Sequence, residues 1–498
     1  MKASIKRIIY LISILTTTTV MLVWGETAIA QYEIGPGWSE PLNLSNSLSS
    51  SNAPAIVGDP YGSVHVFWSE NMGGGENPEV EALQSGNSIY YRRLKDEVWS
   101  EPTDIFHGGE NSRLEEPYAV VDESGLLHLT WIQNGTLQYS YVAAWDTERV
   151  RNWAPPVVIN RGWVGEVRLL NTGGQILAVY TVITGEATGL YAVVIDPEEQ
   201  PLPVLIWTGA KNLIPLDIGA VVDAKGRVHV VWSVSQPLSP VGLAVYYSSS
   251  ETNGSTWSGI RTVASTSSEE DSLQHANPWI AAHGEEEIHI QWAQGVQTYR
   301  WHQVSNDGGK SWGRAYQIWP DLISQTGSQA VGLDGEGTLY WVDVLRYPNG
   351  AYLIRWSGQE WQRPELFFSI VSSTNTLLDY RINAHAIRLA IVQGNQLHIV
   401  FKDQDRGEIW YMQKTLPSRR LPEILIPTTT PQPLPSATPL PTLASPTEVA
   451  AQQNLLQVEL EGDVSILAES PGATMLAGAL PVVLLISYLA FLKMKRKS

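Results

Sequence analysis

The side chains able to do chemistry fall into two groups. Five of the ten histidines, His65, His128, His229, His289 and His398, stand at one place in a recurring string. Imidazole is an ordinary zinc ligand. Residues that hold one position in five repeats lie in five separate places, however, so each imidazole is expected to bond a polar group between repeats instead. The second group sits in irregular stretches: Arg113, Glu115 and Glu116 in "GGENSRLEEP", Glu269, Glu270, Asp271 and His275 in "SSEEDSLQHAN", and Tyr380 and Arg381 in "YRIN". Arginine forks grip carboxylates bidentately, and Glu, His or Tyr beside them can move protons. The candidate ligand-binding residues are Arg113, Glu115, Glu116, His275, Tyr380 and Arg381, and no catalytic set is legible among them. "KDQDRGE" (402–408) spaces Asp403, Asp405 and Glu408 somewhat like a calcium loop. A polar hairpin accounts for it better, so neither a metal nor a cofactor is expected.

A repeat must position these residues. "DPYGSVHVFW" (59–68), "DESGLLHLTW" (122–131) and "DAKGRVHVVW" (223–232) share Asp-x-x-Gly-x-apolar-His-apolar-x-Trp, with weaker copies at 284–292, 334–343 and 394–401. The Asp bonds backbone NH groups and the Gly accepts positive φ, as a tight turn needs, and the β-branched run that follows suits a buried strand. Each copy reads as a hairpin of strands a and b. An aromatic strand c follows, such as "IYYRRL" (89–94), then a strand d opening on Trp, as in "WSEP" (99–102), "WAPP" (153–156) and "WQRP" (361–364). The stretch 166–196 lacks the Asp and Trp but keeps the rhythm. Four short antiparallel strands in each unit of about 50 to 60 residues predict an all-β chain folded as a β-propeller. Seven blades begin near 54, 117, 165, 218, 278, 328 and 384. The seventh lacks a strand d, and "GWSEPLNLS" (37–45) is a strand d with nothing before it. The N-terminal strand is therefore expected to close the ring and remove its exposed edges. The recurring tryptophans are expected as wedges between blades.

Within this pattern "SNDGGKSWG" (305–313) sets Ser305, Asp307, Gly309, Ser311 and Trp312 in the order of an Asp-box, and "SETNGSTW" (250–257) repeats it with Thr252 in place of Asp. With its blade repeat spanning 31–417, the chain resembles the BNR-repeat propellers of the sialidase superfamily. The box falls in a c–d turn, on the face of the a–b turns, whereas b–c and d–a connections open on the opposite, loop-rich face where ligand sites are expected. Asp307 is thus expected to hold a turn and Trp312 to anchor it, marking a fold and not a reaction. For an active sialidase the resemblance implies three arginines on the substrate carboxylate, a Tyr nucleophile activated by Glu, and an Asp acid/base. The family's Arg-Ile-Pro string is absent, "YRIN" being nearest, and no Tyr/Glu pair is legible. The expectation is a non-catalytic propeller binding a glycan, peptide or envelope protein at the cell surface. The alternative is a sialidase-like glycoside hydrolase.

The two ends suggest where it works. Lys2, Lys6 and Arg7, an apolar run and Ala28-Ile29-Ala30 read as a secretory signal over 1–30. Residues 473–492 carry no charge and match a bilayer-spanning helix, followed by the basic tail 493–498, which the positive-inside bias puts in the cytoplasm. Between propeller and membrane, 418–472 reads as a Pro/Thr/Ser-rich stalk, since 417–446 holds nine of the chain's 30 prolines. The net charge is −18, and without the two ends 25 basic residues face 49 acidic ones, which excludes nucleic acid as a partner. The chain has no cysteine, so its stability comes from a core without disulfides.

Overall fold

The computed structural model describes residues 31–426 apart from 48, 72–85, 110–111, 161, 197–201, 210–211, 238, 240–241, 266–273, 296–297, 326–329, 372–385 and 404–406. Seven antiparallel sheets follow one another along the chain. Blade 1 comprises Ser51–Gly58, Val64–Glu70, Ser88–Lys95 and an outer strand in two pieces, Val98–Trp99 and Thr103–His107. Blade 2 spans Leu114–Val121 to Val157–Asn160, blade 3 Val164–Asn171 to Val204–Thr208, blade 4 Ile214–Val222 to Arg261–Ser265, and blade 5 His275–His283 to Tyr316–Ile318. Blade 6 runs from Ile323–Ser324 and Ala330–Leu333 to Glu365–Val371, and blade 7 from Arg388–Val392 to Glu408–Thr415. The 166–196 stretch supplies three strands of blade 3 despite its missing motif, because its apolar alternation survives, and Val204–Thr208 completes the blade. Each strand a lies against the strand a of the next blade, and that of blade 7 against that of blade 1, so the sheets form a closed ring.

The strand pleat explains how such a ring holds together. Successive side chains point to opposite faces of a sheet, and both faces of a blade are covered by neighbours. In strand b of blade 4, Val230 and Trp232 pack toward blade 3 while Val231 between them packs toward blade 5. The apolar core is accordingly divided into seven clusters, one at each blade interface. Trp68, Trp131, Trp232, Trp292 and Trp341, the strand-b tryptophans, are fully buried wedges. Blades 5 and 6 are also bolted by a buried ion pair, Arg300 donating to both Asp343 oxygens at 2.8 and 3.1 Å.

Closure follows the expected route with one addition. Leu42 and Asn43 pair with Tyr411 and Trp410 as the fourth strand of blade 7, and Trp38 bridges to Lys414. Upstream of this strand, Gln31–Ile34 pairs with Glu365–Val371 as an extra strand on blade 6, which the sequence pattern did not announce. Trp38 stacks on Phe367 at 4.7 Å between the two. The first residues past 415 lie along the turn face. Leu416 and Leu421 donate backbone NH groups to Asn395 and Gln393 at 2.7 and 2.8 Å, and Ile424 donates to Pro60 at 3.2 Å. Lys95 of blade 1 pairs with Glu423.

The turn face is a structural device repeated blade by blade. Asp59 Oδ1 accepts the NH groups of Tyr61 and Ser63 at 2.9 and 2.7 Å while its Oδ2 meets His65 Nε2 at 3.1 Å, and His65 Nδ1 meets Tyr91 OH at 2.8 Å. Asp122, His128 and Tyr139 repeat this in blade 2, as do Asp223, His229 and Tyr247 in blade 4. The expectation that the imidazoles bond between blades is thereby corrected. They lie within one blade, because strand c of the same sheet brings a Tyr alongside, and Tyr91 then passes the link to Thr147 of blade 2 at 2.5 Å. Burial holds His65, His128, His229, His289 and His302 below the ordinary histidine range, and His398 at about 4.

In the 305–313 turn of blade 5, Ser305 Oγ accepts the Gly309 NH at 2.8 Å. Asp307 accepts the Ser311 hydroxyl and NH at 2.5 and 2.8 Å, and Trp312 Nε1 donates to Gly309 O at 3.0 Å. Blade 4 draws the same figure without a charge: Ser250 accepts Gly254, Thr252 accepts the Thr256 NH at 2.8 Å, and Trp257 donates to Gly254 O at 2.9 Å. Both turns sit on the face opposite the loop-rich one.

Candidate functional site

The innermost strands start at the loop-rich face, and their first residues form the mouth of the central channel. In blades 1 to 5 each begins with a bulge, where pairing shifts register between Asn52 and Ala55, Glu115 and Tyr118, Val164 and Val167, Leu216 and Gly219, and Ala276 and Trp279. Ala53, Glu116, Asp217 and Asn277 occupy these bulges with φ of 45°, 47°, 49° and 48°. Left-handed backbone at a non-glycine residue costs energy. Its recurrence in four blades shows that the bulge belongs to the scaffold, which uses the extra residue to re-aim a side chain.

Residues at this step differ between blades, and the difference makes a site. Ala53, Glu116, Glu166, Asp217 and Asn277 follow one another around the ring in blades 1 to 5. Two residues deeper the sequence is Ala55, Tyr118, Arg168, Gly219 and Trp279, with Arg388 at the same level in blade 7. An arc of carboxylates from blades 2, 3 and 4 therefore stands above two arginines.

The three carboxylates are held differently. Glu166 accepts the NH groups of Asp217 and Ile218 from the next blade at 3.1 and 3.0 Å, and Arg168 at 3.4 Å. Asp217 accepts the Asn277 NH, again from the next blade, at 3.1 Å, and the Ser233 hydroxyl at 2.6 Å. Both stitch neighbouring bulges together. Glu116 accepts no hydrogen bond among the described residues, and it shares the electrostatic surroundings of Arg388 with Arg168, Tyr118 and Glu166. The Arg168 guanidinium lies 5.5 Å over the Tyr118 ring.

Burial dominates the electrostatics. Water reaches 22% of the Glu166 side chain, yet protein surrounds it in the channel, so desolvation raises its carboxyl above the ordinary range against the pull of Arg168, with Asp217 and Glu116 adding to the rise. Desolvation lowers Arg388, Arg168 acts in the same direction, and Glu116, Tyr118 and Glu166 oppose it. Enclosed charges of both signs can bind a polar ligand with fixed geometry, since donors and acceptors are already oriented there.

Of the residues picked out by sequence, Glu116 lies in this arc. Arg113 and Glu115 pair with each other at 2.5 Å beside it, with the Arg113 side chain 55% exposed. His275 is buried at the start of strand a in blade 5. Glu269, Glu270, Asp271, Tyr380, Arg381 and Asp405 lie outside the described residues. Glu166, Arg168, Asp217 and Arg388 escaped the sequence reading. A signal existed: Ala53, Glu116, Glu166, Asp217 and Asn277 all stand six residues before the turn residue of their own blade, at 59, 122, 172, 223 and 283.

No protein-family model matches the sequence, and no curated relative matches it. Solved structures do resemble the fold. A protein of unknown function from Dyadobacter fermentans is 12% identical, over 76% of this chain and 100% of that one, with a TM-score of 0.46. The NanB sialidase of Streptococcus pneumoniae is 11% identical over 76% and 70%, with a TM-score of 0.39. An α-L-arabinanase of Penicillium chrysogenum, complexed with arabinobiose, is 10% identical over 76% and 99%, with a TM-score of 0.42. These are likenesses of arrangement, and no assignment rests on them.

Proposed function

We propose that this chain is a glycan-binding propeller that holds its ligand at the channel mouth of the loop-rich face without hydrolysing it. The observation that carries the reading is the contrast within the arc. Glu166 and Asp217 are occupied by backbone NH groups of the next blade, whereas Glu116 accepts no hydrogen bond among the described residues and stands near Arg168 and Arg388. A carboxylate accepts from two sugar hydroxyls, and guanidinium groups donate to ring and hydroxyl oxygens. Isosteric Glu116→Gln should weaken binding to a glycan panel by about tenfold, the scale of a charge-assisted hydrogen bond. Neither protein should turn over a fluorogenic sialoside. Turnover by the wild type that Glu116→Gln abolishes would replace binding with catalysis.

One observation favours a hydrolase as the second reading. Glu166, its carboxyl raised by burial and flanked by Asp217 and Glu116, has the surroundings of a general acid. Loss of chromogenic-glycoside hydrolysis in Glu166→Gln with an unchanged melting temperature would support it.

The same reading sets the propeller outside the cell, exported by 1–30 and anchored by 473–492, with glycan or protein partners at the surface. Protease added to intact cells should release a soluble fragment by cutting within 427–472. Protection until lysis would rule this topology out.

A further inference from the structure

We infer that Trp163 is a stacking platform for a pyranose ring, extending the channel-mouth site outward over blades 2 and 3. The inference rests on the glycan-binding reading. Trp163 stands in the d–a link between these blades with 52% of its surface exposed, and it alone among the described tryptophans is exposed. Its backbone is fixed on both sides: the Ile183 NH donates to Trp163 O at 3.0 Å, and the Val164 NH donates to Gly135 O at 2.8 Å. The indole rests on Gly135, at the tip of the b–c hairpin of blade 2. A Cβ at that position would lie 2.9 Å from Trp163 Cδ2 and Cε3, and the residue has φ +78°. Glycine thus lets the ring settle against backbone and leaves the rest of it open to solvent.

A rigid, half-exposed indole on the loop-rich face offers an electron-rich surface to weakly positive CH groups. Hexopyranoses whose substituents are all equatorial present their axial hydrogens as two flat faces, which is the complementary shape. Trp163 precedes Glu166 by three residues of extended chain, about 10 Å at ~3.3 Å per residue, so a ring on the indole continues into the carboxylate arc. The ligand class is therefore a β-linked oligosaccharide of such hexopyranoses, one unit on Trp163 and the next toward Glu116.

The test uses the full chain with cellohexaose and chitohexaose, read by calorimetry and by acrylamide quenching of tryptophan fluorescence. At least one hexasaccharide should bind and shield a quenchable tryptophan that is missing from Trp163→Ala. That variant should melt with the wild type and bind about tenfold more weakly, the loss of one aromatic stacking contact. Gly135→Ala, which pushes the indole from its seat, should weaken binding too, and Trp163→Tyr should keep part of it. Failure of both sugars to bind, or wild-type binding by Trp163→Ala, overturns the platform. If Trp163→Ala binds normally while Glu116→Gln does not, the channel site stands without it. If Trp163→Ala loses binding and Glu116→Gln keeps it, the platform stands and the role given to Glu116 falls.

Discussion

In the blade 5 turn Asp307 does with a charge what Thr252 does without one in blade 4. The two turns share their hydrogen bonds, so the aspartate is one of two side chains that can cap this turn. Asp307→Ala should lower the melting temperature, and Asp307→Thr should restore most of the loss, while neither changes ligand binding. The Ser311 hydroxyl, with the Ser311 NH and Ser305 behind it, holds the Asp307 carboxyl at about 2, below its ordinary 3.8. Its contribution is complete above 3.8 and is lost as pH falls through about 2, because the folded protein then gives up the preference for the ionised form. Thermal scans over this range should show the acid-dependent step shrink in Asp307→Thr. An Asp307→Ala protein that melts like wild type but no longer binds ligand would reverse the assignment.

At the level of elements, ring closure depends on few residues. Leu42–Asn43 is a two-residue strand, yet it seats Leu44 in the interface of blades 7 and 1 and Trp38 in that of blades 6 and 7. Removing 31–46 takes away the closing strand and the extra strand on blade 6 together, so the truncated propeller should melt well below the intact one. Trp38→Ala isolates the wedge and should cost about 3 to 5 kcal/mol in denaturant unfolding, the usual loss for a buried aromatic. Equal stability of truncated and intact proteins would mean that the ring closes without this strand. The orphan strand d was legible because its Trp and its pattern match the other blades. The Gln31–Ile34 pairing was not, since four residues at the start of a chain carry too little periodicity to name a partner.

Across the whole molecule, buried imidazoles tie stability to pH. Six histidines are held below 6.5 in the folded ring, chiefly by burial, with His398 at about 4. The unfolded chain binds more protons than the folded one between these limits, so stability is fully present above about 6.5 and falls as pH drops toward 4. His398 alone accounts for about 3 kcal/mol across that window at 1.36 kcal/mol per pH unit. Urea unfolding at pH 7 and pH 4.5 should show the loss, and His398→Phe should reduce it. A flat profile would mean that these histidines bind protons in the folded state.

The blade count and the closing strand were both present in the linear text. Propeller blades repeat, and a repeat reports its own boundaries wherever the turn needs an Asp and a Gly. Glu116 was visible as a charged residue in a loop, but its company was not. Glu116, the pair Glu166 and Arg168, Asp217 and Arg388 come from four blades, up to 272 positions apart between Glu116 and Arg388, and only closing the ring gathers them around one channel. Local sequence determined the strands and turns because their requirements are met by neighbours along the chain. The site was decided by tertiary structure, because its requirement is convergence, and convergence is a property of the closed ring.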